Sequence, residues 1–219
     1  NFPFKGARFG DVATFVRAFA AIKKAAALTN VDLGTLDRNR GKAIAAAADE
    51  MHRGELSEHL IISLMEGSGG TSTNMNVNEV LANRALQLLG HSPGDYHHLH
   101  PNDHVNLGQS TNDVFPTALE LACIEFCQPA LDALSRVADA LEMKSREFDD
   151  VYRLGRTCLQ DAQPMTLGQA FGGYSTLVRR AGQRLAEARQ KLLTLPLGGT
   201  AIGTGLGAAP GFRERVIER

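Results

Sequence analysis

Two runs of small polar residues stand where helices begin. Ser110-Thr111-Asn112-Asp113-Val114-Phe115 opens a long helical stretch and follows His100-Pro101-Asn102-Asp103. Gly69-Gly70-Thr71-Ser72-Thr73-Asn74-Met75-Asn76 stands in the same relation to another. A helix N-terminus carries N–H groups without intrahelical partners and a partial positive charge. Hydroxyls and amides gathered there suit a carboxylate or phosphate. Two such clusters in one chain point to a site for a small anion. By composition, an ordinary helix-capping loop fits the glycine-led run equally well, and no Lys-Ser/Thr pair follows at phosphate-loop spacing.

Other candidate groups weigh less. Gly203-Thr204-Gly205-Leu206-Gly207-Ala208 matches a dinucleotide fingerprint in letters, but that fingerprint needs a strand before it and a helix directly after. Pro196 and Pro210 flank it instead, so a turn between helices is expected. His97, His98, His100 and His104 lack nearby cysteines or a His-Glu-x-x-His helix, so no metal is expected and His97 and His98 read as solvated. His100, beside Asn102 and Asp103, could hold an anion or orient a turn. Gly155-Arg156-Thr157-Cys158-Leu159-Gln160-Asp161 sets polar groups just before a helix. There Thr157 is a plausible donor to a ligand, and Cys158, with no adjacent His to activate it, reads as a packed thiol.

Helical spacing dominates the elements that must position these groups. Val12, Phe15, Val16, Phe19 and Ile22 recur at intervals of three and four, Leu36 to Met51 forms an Ala-rich helix, and Asn78 to Leu89 a third, stopped by Gly90. His59 to Ile62 reads as extended or buried coil. Residues 91–108 form a long irregular connection. A helix from about Asn112 to Phe148 follows, open to a bend at Pro129, and begins with a capping-box-like pattern. Val151 to Gly155 predicts a short strand. Thr166-Leu167-Gly168-Gln169 is a second capping box, opening a helix whose Val178, Ala181, Leu185, Ala188 and Leu192 form a bundle seam. Gly198 to Gly207 is a glycine-rich loop. The expected fold is mainly α: a small N-terminal helical domain over 1–108, then the first long helices of a central bundle over 109–219.

Composition narrows the function further. Of 219 residues, 43% are hydrophobic and 21% charged, which supports a real core. A net charge of −1 without Trp argues against nucleic acid and anionic membrane as partners. No apolar run is expected to reach the ~20 residues that span a bilayer. Three cysteines make no disulfide framework, Cys123 and Cys127 read as small core residues, and a reducing cytoplasm is the expected compartment. A first residue of Asn and a last helix just begun after Pro210-Gly211 read as an excerpt of a longer protein.

Taken together, the chain resembles the aspartase/fumarase superfamily. The resemblance rests on Thr71 through Asn83, on His100-Pro101-Asn102-Asp103 with Gln109 through Asp113, on Gly155 through Asp161 with Pro164 through Gln169, and on Gly198 through Gly205. It covers nearly the whole chain and about half of such a protein. It implies a homotetramer built on a central helix bundle, with each site drawn from three subunits, no organic cofactor, and reversible anti-elimination from a succinyl substrate to release fumarate. The implied base is a serine on a Gly-Ser-Ser-x-Met-Pro loop, which these residues do not contain. By the same resemblance Thr71, Ser72, Ser110, Thr111, Asn112 and Thr157 bind substrate, while His100, Asn102 and Asp103 form a secondary anion site. Fumarases and some aspartases place His after the residue matching Thr157, where this chain has Cys158, and fumarases typically read Thr-Gln-Ser-Asn where it has Thr71-Ser72-Thr73-Asn74. Both departures favour loss of ammonia from L-aspartate over hydration of fumarate. An inactive assembly module is a further alternative for these residues alone.

Overall fold

In a computed structural model that describes residues 6–219, α-helix predominates, beside one two-stranded antiparallel sheet. The helices are α1 (Ala13–Asp32), α2 (Arg38–His52), α3 (Thr71–Leu88), α4 (Thr111–Glu147), α5 (Leu167–Lys191) and α6 (Phe212–Ile217). The strands β1 (Tyr152–Thr157) and β2 (Gln160–Thr166) lie between α4 and α5. The described residues divide into two compact units, one of residues 6–122 with 194–219, the other of residues 123–193. The division falls inside α4.

In the first unit, the apolar stripe of α1 buries Phe15, Val16, Phe19 and Ile22. Phe9, Phe15, Phe19 and Phe115 meet edge to face at centroid distances of 5.1–6.2 Å, the arrangement that ring quadrupoles favour. Alanines make the face α2 turns to the core, with Ala47 and Ala48 at 0–1% exposure, so small side chains let backbones approach. Asp37 caps α2 by accepting from the N–H groups of Asn39 and Arg40 at 2.9 and 3.1 Å. α3 supplies Val77, Leu81, Ala82, Ala85 and Leu86 to the same core. It begins seven residues before the expected Asn78, because Thr71-Ser72-Thr73-Asn74 forms its first turn rather than a loop ahead of it. The expected irregular connection over 91–108 contains one wide helical turn, Pro101–Val105. His59–Ile62 is irregular as expected, with Leu60 buried and Ile61 exposed.

α4 runs unbroken through Pro129. By length and composition it is the one described helix able to cross a membrane, which corrects the expectation that no such stretch exists. Its first turns instead bury Val114, Ala118 and Ala122 in the core of the first unit.

The second unit is a helical hairpin. α5 runs antiparallel to α4: Ser145 Oγ donates to the Gly168 carbonyl at 2.8 Å, Ser175 Oγ to Ala138 at 2.9 Å, and Arg189 Nε to Ile124 at 3.1 Å. Gly168 is required here, since a Cβ would sit 2.4 Å from the Ser145 carbonyl oxygen. The Thr166–Gln169 capping box forms in both directions at 3.0 Å. β1 and β2 pair from Tyr152↔Thr166 to Thr157↔Gln160 with an irregularity after Leu154. Their two-residue turn, Cys158-Leu159, has φ of +47° and +61°, the left-handed conformation that hairpin twist demands and that Asn-Gly adopts more cheaply. Cys158 is therefore exposed, not packed, because a turn tip has nothing to pack against. Cys123 is exposed and Cys127 half-buried, which corrects their reading as core residues. Val178, Leu185 and Leu192 are half-buried, while Ala181 and Ala188 face outward.

Phe19 is fully buried among three other rings, so Phe19→Ala is expected to cost about 3–5 kcal/mol, read from the urea unfolding midpoint. Leu88→Ala, on the partly exposed end of α3, should shift it far less.

Candidate functional site

The starts of α3 and α4 adjoin in the first unit. Asn74 is 1% exposed, and its Nδ2 donates to Thr111 Oγ1 at 3.1 Å and to Asn106 Oδ1 at 3.3 Å. Gly70, the N-cap of α3, has φ +91°, and a Cβ there would lie 2.3 Å from the Phe115 ring, so only glycine lets the two helix starts come this close. Because Thr111 Oγ1 accepts from Asn74, its own proton is free to be donated elsewhere. Thr71 and Asn112 are exposed, and Ser72, Ser110 and Thr111 half-buried, so these groups are within reach of a ligand.

The local caps follow from side-chain chemistry. Ser68 Oγ accepts from the Ser72 N–H at 2.9 Å. Glu66 accepts from Ser68 Oγ, and from Thr73 Oγ1 at 3.2 Å. Partial burial pushes the Glu66 carboxyl up, but hydrogen bonds from the hydroxyls of Ser68, Ser72 and Thr73 outweigh it and hold the group below the usual glutamate range. At α4, Ser110 Oγ accepts from the Asn112 N–H at 3.2 Å, and Asp113 Oδ1 accepts from the Ser110 N–H at 2.9 Å, the expected reciprocal cap.

Asp113 also does something the capping pattern does not reveal. Its Oδ2 accepts from the Gly198 and Thr200 N–H groups at 3.1 and 2.8 Å, and Asn112 Nδ2 donates to the Ala201 carbonyl at 2.8 Å. The glycine-rich loop is thereby pinned to the start of α4. Gly198 allows this with φ +87° and no room for a Cβ against Arg213.

Beneath the joint lies Lys23 of α1, fully buried. Its Nζ donates to Asn106 Oδ1 at 2.9 Å and to Gln109 Oε1 at 3.0 Å. Burial lowers its pKa from 10.5 to about 7, against the pull of Asp113. A neutral amine has two N–H donors, and two acceptors are in reach. Lys23, Asn106, Asn74 and Thr111 thus form one chain of hydrogen bonds. Sequence reasoning missed Lys23, Asn106 and Gln109 as parts of the site. A signal existed for Lys23: with Phe19, Ile22 and Ala26 it holds the i, i+3, i+4, i+7 positions of a buried face, where a lysine needs partners.

His100 Nδ1 accepts from the Asn102 and Asp103 N–H groups at 3.2 Å each, capping the Pro101–Val105 turn that leads to Asn106. Those N–H groups are occupied by the imidazole in this conformation. Thr157 lies in the second unit, exposed at the end of β1.

A family model described as lyase matches residues 6–219. The chain belongs to the fumarase/aspartase lyase superfamily. It is 44% identical to the aspartate ammonia-lyase of Bacillus subtilis (strain 168), covering 100% of this chain and 46% of that protein. It is 48% identical to the class II fumarate hydratase of Halobacterium salinarum, covering 98% and 45%. A fumarate lyase:delta crystallin structure from Brucella melitensis, described as bound to cobalt, superposes with a TM-score of 0.92 at 44% identity over 99% of this chain and 47% of that one. The chain thus spans about half the length of the relatives it matches. Relatives of both activities match comparably well, so similarity supports the superfamily and leaves the reaction to the site.

The lysine sets a pH dependence. Between about pH 7 and 10.5 the unfolded Lys23 holds a proton that the folded one has released. Raising pH in that window therefore favours the folded state, by about 1.4 kcal/mol per pH unit. Urea unfolding at a series of pH values should show this rise in the native chain and its loss in Lys23→Met, with no difference in slope below pH 7.

Proposed function

We propose that the whole protein of which these residues form part is an aspartate ammonia-lyase, converting L-aspartate to fumarate and ammonia without an organic cofactor. The observation that carries this reading is the joint between α3 and α4. It sets the hydroxyls of Thr71, Ser110 and Thr111 at two adjoining helix starts, with Thr111 free to donate, while the Ser72 hydroxyl beside them is bonded to the Glu66 carboxylate. Removing a proton beside a carboxylate builds a second negative charge on that carboxylate. Donors and helix dipoles already aimed at that place stabilise it without reorganisation. Asn112 and the pinned loop hold one wall. Thr157 joins from a neighbouring copy in a tetramer, and His100, Asn102 and Asp103 take a second anion apart from the chemistry once the imidazole turns away from the Asn102 and Asp103 N–H groups. By resemblance, the proton goes to a serine outside these residues.

Cys158 next to Thr157 supports ammonia over water as the leaving group, since a thiol on an exposed turn is a poorer proton relay than the imidazole fumarases carry there. Fumarate hydration is the second reading, favoured by the 48% identity to a class II fumarate hydratase. Ammonia release from L-aspartate and hydration of fumarate, measured side by side on the whole product of the gene, separate the two; hydration alone would discard the first.

Removing one aimed donor is expected to lower kcat by roughly 100- to 1,000-fold. Thr111→Val in the whole protein should show that loss in steady-state assays while retaining its fold by circular dichroism. The 219 residues alone should release no ammonia from L-aspartate, and measurable turnover would show that the serine loop is dispensable.

A further inference from the structure

We propose that His91, Asp95 and His98 form a binding site for a borderline divalent cation such as zinc or cobalt(II), apart from the helix-start site. One ligand atom from each lies within 4.8 Å of the others. The imidazole rings stack with centroids 3.9 Å apart and planes 12° from parallel, and His98 Nε2 is 3.7 Å from Asp95 Oδ2. A tetrahedral zinc ion with bonds of 2.0–2.1 Å holds its ligand atoms about 3.4 Å apart. The three groups need only splay the rings and contract by on the order of 1 Å, motions that χ rotations supply.

The backbone beneath them is already fixed. The His91 N–H returns to the Leu86 carbonyl at 2.9 Å, closing the end of α3, and Gly90 makes the reversal with φ +84°. Asn83 clamps the loop from below: its Oδ1 accepts from the Gly94 N–H at 2.7 Å and its Nδ2 donates to Tyr96 OH at 3.3 Å. The His98 N–H bonds the Asp95 carbonyl at 3.0 Å, which sets those two side chains in register. Preordering of this kind reduces what a cation must organise on arrival.

Electrostatics and room also fit. The cluster sits at the C-terminus of α3, the end whose partial negative charge favours cations. A groove of about 450 Å³, lined by Asp37, Asn39, Arg40, Leu89, His91 and His98, leaves space for water ligands. Arg40 is the one positive group in that lining; its Nε is committed to the His98 carbonyl at 2.6 Å. The Asp37 carboxylate is spent on the start of α2. Two imidazoles and one carboxylate select zinc-like ions over magnesium or calcium, which prefer all-oxygen sites. Sequence spacing hid the group, since His98 reads as a loop histidine until the turn brings it onto His91.

The test is calorimetric titration of Zn2+ into the chain with Cys123, Cys127 and Cys158 changed to Ser, so that no thiolate competes. One saturable equivalent is expected. His91→Ala, Asp95→Asn and His98→Ala should each weaken binding by at least the roughly 10- to 100-fold that losing an outer-shell partner costs. His97→Ala and a Mg2+ titration serve as controls, the first binding normally and the second not at all. No saturable binding, or binding undiminished in the His91→Ala/His98→Ala double variant, overturns the assignment. Should a variant fail to fold, Co2+ added to the cysteine-free chain must broaden NMR signals around residues 91–98 first. Broadening centred elsewhere overturns the assignment equally.

Discussion

A single buried carboxylate organises the site half of this protein. Asp113, 1% exposed, accepts three backbone N–H groups: one from the helix it caps and two from the glycine-rich loop 85 and 87 residues further on. A carboxylate taken from water costs several kcal/mol unless donors replace its hydration. Here the donors are amides that would themselves be orphaned at a helix start and in a tight loop. Each side resolves the other's desolvation. The consequence is geometric: the start of α4, the wall made by Gly198–Ala201 and the α3 start bonded through Asn74 cannot move independently.

Lys23 adds the second constraint. Held dry, it tolerates loss of its proton near neutrality, and its N–H donors orient the side-chain carbonyls of Asn106 and Gln109. Asn106 in turn receives Asn74, which donates to Thr111. The directional order of these bonds leaves one hydroxyl proton uncommitted at the helix starts, the donor on which the proposed reaction would call. A polar network of this sort is stable only when nearly every member is satisfied, and the Oδ1 of Asn74 is one buried acceptor still without a partner in this chain.

The second unit shows a different balance. Its helical hairpin is held by side chain–carbonyl bonds at Ser145, Ser175 and Arg189 and by a close approach at Gly168, while Phe126, Val137, Tyr174 and Leu177 are exposed. Apolar side chains displayed on both helices are what a bundle needs for further helices to pack against.

Much of this was legible before any coordinates. The stripe of α1, the cap at Thr166–Gln169, the glycine stops and the polar helix starts are local signals, because 3.6-residue periodicity and capping depend on neighbours within one turn. The pattern starts α3 late because polar residues hide periodicity. It puts Cys123 and Cys127 in the core because helical spacing says nothing about which face is covered, and it packs Cys158 because no local signal shows that Cys158 sits at a hairpin tip. The sequence by itself determined the helices, their caps and the family resemblance. Only the tertiary structure decided that Asn74 reaches Thr111, that Asp113 holds Gly198 and Thr200, that Lys23 lies dry beneath both, and that His91 meets His98. Those partners stand far apart along the chain or across a loop reversal, and pairing at such separations is chosen by packing, which no local pattern encodes.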